Sequence, residues 1–221
     1  MTASTSHSSN SITRTRNVST FTNGKWRQNC YVVGNTDRKA LIIDPGSDAE
    51  GLMALIEELG LAPVAIVNTH AHYDHIGAVA ALQEKFGIPF YLHGDDAKLM
   101  KQANIYKILF ESKTSIKVPE FDRNLADLNG DELLLDGFVV RVVGTPGHTP
   151  GSTCLIIDNN LFSGDTLLPG GPGRTDLPGG DKKKLAQTLE SLRQLDAGYL
   201  VHPGHGKPFT LGEFWSKFDD K

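Results

Sequence analysis

From Val18 onward the chain alternates short apolar runs with amphipathic stretches. The runs "NCYVVGN" and "KALIIDPG" are rich in β-branched residues and are separated by the turn residues at 35–37, which predicts two strands. "DAEGLMALIEELG" has a helical period: Leu52, Leu55, Ile56 and Leu59 share one face, and Gly60 supplies the stop. "VAIVNT" predicts a strand, "IGAVAALQEKFG" a helix and "PFYLH" the next strand. The polar stretch from Ala97 to Asn129 predicts nothing definite. Strands resume with "FVVRVVG", "TCLIID" and "NLFSG". A helix over Lys182 to Leu195, a strand "GYLVHPG" and a short helix "LGEFWSKF" complete the pattern. Strands dominate both halves with helices between them, which predicts two sheets packed face to face with helices outside.

The chain has 221 residues, 39% of them hydrophobic and 22% charged, the composition of an ordinary globular protein. That length is enough to bury a substantial core. No repeat or long linker divides it, so one domain over 18–221 is expected. The net charge of −4 offers no basic face for nucleic acid or an anionic membrane. No apolar run reaches the roughly 20 residues of a membrane helix. Cys30 and Cys154 sit in apolar runs and read as buried strand thiols, which favours a reducing, cytoplasmic compartment. Residues 1–17 hold no acidic residue and no apolar core, so a disordered polar tail is expected. Their Ser/Thr richness with Arg14 and Arg16 makes an organelle transit peptide the lesser alternative.

The chemistry concentrates in "NTHAHYDHIGA", which follows a predicted strand and precedes a helix. A lone histidine there would most often be a surface or hydrogen-bonded residue. Three histidines and an aspartate crowded at a strand end are costly to desolvate without a cation or hydrogen-bond partners. His70 and His72, at i and i+2, point the same way on an extended backbone; Asp74 continues the alternation and His75 falls out of step. Imidazole and carboxylate are the donors that zinc, iron and manganese accept. Three later strand ends each add a candidate in a Gly-rich turn: His148 in "GTPGHTPGS", Asp165 in "FSGDTLL" and His205 in "VHPGHG".

Together "THAHYDH", "TPGHTPGS", "SGDTL", "GRTDLPGGD" and "PGHG" resemble the metallo-β-lactamase superfamily, over about Asn29 to Phe209. Within it the resemblance is to the glyoxalase II-like (hydroxyacylglutathione hydrolase) branch. Sixteen residues follow His205, so it is to a compact form without the C-terminal helical domain of full-length glyoxalase II. The resemblance implies an α/β (α+β) fold, a four-layer αββα sandwich of two mixed β-sheets with helices on the outer faces. It implies two divalent metal ions, zinc first, with iron or manganese as alternatives. His70, His72 and His148 would hold the first metal, Asp74, His75 and His205 the second, and Asp165 would bridge them. Asp74 and Asp165 are also the candidate catalytic residues. Asp44, in "IIDPG", would orient a ligand histidine; as a turn-initiating Asp before Pro-Gly it has a plainer reading. The chain keeps Asp at 165 and the final His of "HAHYDH", where the best-known zinc β-lactamases differ, which argues against antibiotic hydrolysis.

The implied chemistry is hydrolysis. A metal lowers the pKa of bound water from about 15.7 to about 7, and a metal-bridging hydroxide would attack a carbonyl. A thiolate, with a thiol pKa near about 8.5, leaves readily, so a small thioester such as S-lactoylglutathione is the expected partner, for a monomer or homodimer. Arg174, in "GRTD", is a candidate anchor for a substrate carboxylate, or else a surface arginine in a loop. Two alternatives share the motifs. One is a persulfide dioxygenase with a single iron on His70, His148 and Asp165, although "LPGGD" looks more like the hydrolase branch; the other is a lactonase. His7, His93 and His202 are assigned no metal role.

Overall fold

The computed structural model describes residues 10–15, 17–111, 114–128 and 132–219. Seven strands run in sequential order across the first sheet: β1 (Ser11–Thr15), β2 (Val18–Asn23), β3 (Gln28–Gly34), β4 (Lys39–Ile43), β5 (Ala62–Val67), β6 (Phe90–Leu92) and β7 (Arg123–Asn124). β1 to β4 are antiparallel neighbours, whereas β4 to β7 pair in parallel. Parallel pairing needs crossovers, and helices supply them. α1 (Ala49–Leu59) joins β4 to β5, α2 (Tyr73–Ile76) and α3 (Val79–Phe86) join β5 to β6, and α4 (Ala97–Lys101) and α5 (Ala103–Phe110) precede β7.

The second sheet is built from β8 (Glu132–Leu135), β9 (Phe138–Gly144), β10 (Thr153–Ile157), β11 (Asn160–Gly164), β14 (Leu200–Pro203) and β15 (Phe209–Thr210), in the order β15-β14-β11-β10-β9-β8. A small ribbon, β12 (Leu167–Leu168) with β13 (Gly171–Pro172), leads to α6 (Lys182–Leu192), and α7 (Leu211–Asp219) follows β15.

Alternation along each strand explains the layers. Tyr31, Val33, Leu41 and Ile43 of the first sheet meet Val140, Val142, Leu155 and Ile157 of the second in the central core. Their neighbours Cys30, Val32, Ala40 and Ile42 face the other way, onto Leu52, Ile56, Val79 and Leu82 of the helices. Cys154, Ile156 and Leu161 likewise meet Leu185, Leu189 and Phe214 on the far side. The order is therefore helix, sheet, sheet, helix, the expected αββα sandwich. β9 shows the same rule at an uncovered place: Phe138, Val140 and Val142 are buried, while Val139 and Arg141 are exposed. Among the described residues no helix is long and apolar enough to cross a membrane.

The structure corrects three expectations. Residues 1–17 were expected to be disordered, yet Ser11–Thr15 pairs with β2 along its whole length, Ile12 opposite Phe21. An open sheet edge rewards any segment that satisfies its backbone groups, whatever its polarity. Residues 1–9 and 16, and with them His7, lie outside the described residues. The helix expected over "IGAVAALQEKFG" is two, and the first begins inside the histidine cluster, so Asp74 and His75 sit in a helical turn. The indefinite stretch after Ala97 contains α4 and α5.

Candidate metal centre

The seven candidate ligands converge at one edge of the sandwich, where parallel strands end. β5 delivers His70 and His72 and runs into α2 with Asp74 and His75. The β9–β10 loop delivers His148, the end of β11 Asp165 and the end of β14 His205. His70, His72, His148 and Asp165 offer ligand atoms within 4.8 Å of one another, as do Asp74, His75 and His205. Asp165 stands between the groups: Oδ2 is 3.5 Å from His148 Nε2 and 3.5 Å from His205 Nε2, and Oδ1 is 3.7 Å from His75 Nε2. Asp74 Oδ2 lies 3.4 Å from His205 Nε2. These approaches leave little room for extra atoms. A Cβ on Gly204 would stand 2.1 Å from Asp165 Oδ1, so only glycine fits there.

Four imidazoles have their protons assigned by partners that can only accept there. His148 Nδ1–H donates to the Arg174 carbonyl (2.7 Å) and His205 Nδ1–H to the Trp26 carbonyl (3.0 Å). His75 Nδ1–H donates to Asp44 Oδ2 at 3.0 Å. The Thr69 hydroxyl donates to Asp44 Oδ2 (2.6 Å), so its oxygen accepts from His70 Nδ1–H at 3.0 Å. In its neutral form each ring then presents a bare Nε2. His72 is the exception, presenting Nδ1 3.1 Å from His70 Nε2 and 3.0 Å from His148 Nε2. A single proton on His72 Nδ1 can serve one of these nitrogens, not both. His75 Nε2 and Asp165 Oδ1 are buried with no hydrogen-bond partner. Bare nitrogens crowded together and orphaned buried polar atoms are costly in themselves, and the donor set is the one divalent ions take. The residues present fit metal ions. Asp44 also groups geometrically with His70 and His75, but Thr69 N–H, the Thr69 hydroxyl and His75 already occupy its oxygens, so it acts behind the cluster.

Electrostatics divide the rings of the cluster. Burial, aided by the neighbouring imidazoles, holds His70 well below its ordinary value and His72 at about 3. Burial opposes charge on His75 too, but Asp44 and Asp74 outweigh it and raise that ring to about 9. Burial alone would raise Asp165; His205, His75 and His148 hold it below the usual carboxylate range instead.

Above the cluster opens a cleft of about 530 Å³ that Asp74, Asp165 and Arg174 help to line. Trp26 Nε1–H donates to Tyr73 Oη at 2.6 Å in its wall. The Arg174 guanidinium is exposed and holds Asp176 through Nε and Nη2 at 2.7 and 2.6 Å. Its expected role toward a substrate therefore competes with an ion pair, whereas its carbonyl anchors His148. His202 is remote from the cluster: it stacks on Phe162 in the inter-sheet core, with Nε2 2.9 Å from Asn160 Oδ1. His93 accepts from Asp95 N–H beside a 3-10 turn.

Sequence reasoning passed over Thr69, Trp26 and above all Asp96. Fully buried, Asp96 accepts from Ala71 N–H (2.9 Å) and the Thr149 hydroxyl (2.8 Å) through Oδ2, and from Gly151 N–H (2.7 Å) through Oδ1. It clamps the loop of His70 and His72 to the loop of His148. Nothing in "HGDD" signals this, because the partners lie 25 to 55 residues away.

A family model described as the metallo-beta-lactamase superfamily matches residues 23–205. The chain belongs to that superfamily. Among its members, it is 35% identical over 195 residues to the hydroxyacylglutathione hydrolase GloC of Haemophilus influenzae, covering 85% of this chain and 90% of that one. The crystal structure of BLEG-1, described as a B3 metallo-beta-lactamase, superposes with a TM-score of 0.82 at 37% identity, over 88% of this chain and 94% of that one. TTHA1623, solved in a di-iron-bound form, gives 0.78 at 40% identity, over 87% and 94%. Membership of this metallo-hydrolase superfamily, the αββα sandwich and a His/Asp cluster able to bind metal are thus established together.

Proposed function

We propose that this member of the superfamily is a dinuclear metal-dependent hydrolase that cleaves a small thioester, with S-lactoylglutathione as the reference substrate. The observation that carries the reading is Asp165, whose two oxygens face histidines of both ligand groups. His70, His72 and His148 would hold one ion, Asp74, His75 and His205 the other, and Asp165 both. Zinc is the first expectation, and the di-iron form of TTHA1623 keeps iron beside it. Bound there, divalent ions would supply an acidic water and a Lewis acid for a carbonyl oxygen.

The chain's own residues do the rest. Thr69, Asp44 and the carbonyls of Arg174 and Trp26 hold a ring proton on Nδ1, so each ring, when neutral, directs a basic Nε2 at the cluster. Asp74 and Asp165 line the cleft as carboxylates held ionised by the surrounding imidazoles, and can each orient a proton of the attacking water. A thiolate with a conjugate pKa near about 8.5 departs without a proton. The activity named for GloC supports a thioester as the substrate class. Arg174 is the proposed contact for a substrate carboxylate, in competition with Asp176.

The test offers metal-reconstituted protein S-lactoylglutathione or glutathione persulfide, and follows free thiol and dissolved oxygen. Thiol release without oxygen uptake is expected. Oxygen uptake with sulfite formation from the persulfide, and no thioester cleavage, would replace this reading with the mononuclear-iron dioxygenase. A lactone in the same panel tests the lactonase alternative.

A further inference from the structure

The geometry points to a cleft built to bind an apolar chain of medium length. Under the thioester reading, on which this inference rests, that chain is the acyl group. Three observations carry it. The first is the lining: Trp26, Leu99, Tyr106, Phe110, Leu168 and Leu177 surround the approach to the histidine cluster. The cavity of about 530 Å³ is of the size that takes a small molecule.

The second is what the lining lacks. A glutathione moiety brings two carboxylates and an ammonium at neutral pH. Arg174 is the one lysine or arginine lining the cleft among the described residues, and Asp176 already occupies its Nε and Nη2. Arg174 can therefore meet one carboxylate, by exchange with Asp176, and the described lining offers no second lysine or arginine for the other.

The third is the helix beside the mouth. On α5, Ile105, Ile108 and Leu109 fall at i, i+3 and i+4 and share one face, and they are 56%, 54% and 67% exposed. Phe110, at the end of the same helix, both lines the cleft and reaches solvent. The buried face carries Lys107, whose Nζ lies 2.6 Å from Glu111 Oε1 and 5.9 Å from the centre of the Tyr73 ring. Lys107, held by Glu111 and the Tyr73 ring, fixes which side of α5 faces in and so leaves the apolar side chains outward. The two walls are also tied: Lys25 Nζ donates to the Phe110 carbonyl at 3.1 Å while lying 5.0 Å from the Trp26 ring centre. α5 therefore puts Tyr106 and Phe110 into the cleft lining and carries Ile105, Ile108 and Leu109 on its exposed side, with the Lys25 ammonium between Trp26 and the Phe110 carbonyl. A grouped set of large apolar side chains on a protein surface marks a binding place. A chain that begins at a carbonyl over the cluster and leaves over α5 would cover it.

The experiment uses the metal-reconstituted full chain and thioesters of one thiol, N-acetylcysteamine, with acetyl, butyryl, hexanoyl and octanoyl groups, alongside S-lactoylglutathione. Expected is a kcat/KM that rises roughly two- to fourfold per added methylene and passes that of S-lactoylglutathione. Phe110→Ser should lower the octanoyl-to-acetyl ratio by about tenfold or more. A flat or falling series with S-lactoylglutathione the best substrate overturns the inference and leaves the thioester reading intact. If no thioester is cleaved, the thioester reading fails by itself. Binding of the matching non-cleavable S-(2-oxoalkyl) thioethers, followed by tryptophan fluorescence, then decides: a Kd that falls with chain length keeps the apolar-chain site, and a Kd independent of length removes it.

Discussion

Replacing Asp96 tests how the two halves of the first ligand group are held in register. Asp96→Ala removes the acceptor for Ala71 N–H, which lies between His70 and His72, and for Gly151 N–H, beyond His148. The Thr149 hydroxyl can turn to Ser152 Oγ, 2.8 Å away, so two donors are left orphaned and buried. Each orphan costs about 1–3 kcal/mol. Part is returned, because burial raises the pKa of Asp96 despite its hydrogen bonds, which means that the ionised carboxylate is itself unfavourable. The net loss should be about 2–4 kcal/mol for Ala and about 1–2 kcal/mol for Asn, which keeps one acceptor oxygen. With the clamp gone, metal should leave the group of His70, His72 and His148 first. The assay is urea unfolding of the metal-free variants, then chelator titration of the reconstituted ones. Metal-free stability of Asp96→Ala within about 0.5 kcal/mol of the parent, together with unchanged metal retention, would refute the reasoning.

Three further outcomes are expected. A Cys30→Ala, Cys154→Ala variant should keep its turnover and lose about 1–3 kcal/mol of stability, since both thiols are buried on opposite outer sheet faces and burial pushes Cys154 up to about 12; lost turnover with metal intact would assign a thiol to the chemistry. Burial lowers His202 to about 4, so the folded state resists a proton that the unfolded chain takes near 6.5. That contribution, up to about 3 kcal/mol, is complete above pH 6.5 and is lost as pH falls toward 4; in urea titrations across that window His202→Phe should flatten the decline, and an unchanged slope would count against it. Arg174→Ala should raise KM for a carboxylate-bearing thioester more than it lowers kcat, and should leave metal content unchanged because the carbonyl, not the guanidinium, anchors His148; metal loss would contradict this.

What could be read from the chain was whatever residue type and period carry. β-branched runs such as "CYVV" and "TCLII" become strands buried on both faces, and the seven ligands stand out because histidine and aspartate in Gly-rich turns are conspicuous chemistry. α5 was illegible for the opposite reason: its isoleucines and leucine face solvent and its lysine faces in, so the hydrophobic period points the wrong way. β1 forms through backbone pairing at an edge, which polar side chains do not announce. Contacts made by a carbonyl, such as those of Arg174 and Trp26 on ring nitrogens, depend on where the chain passes and not on which residue is there. Asp96 and Thr69 join segments that only the folded chain brings together.

The central claim is that Asp165 joins two metal sites. Elemental analysis of metal per chain, for the parent and for Asp165→Ala after zinc or iron supplementation and removal of loose ions, tests it most directly. Two ions per chain are expected in the parent, with weakened retention at both sites in the variant. At most one ion in the supplemented parent, or two ions held as tightly without Asp165, would contradict it.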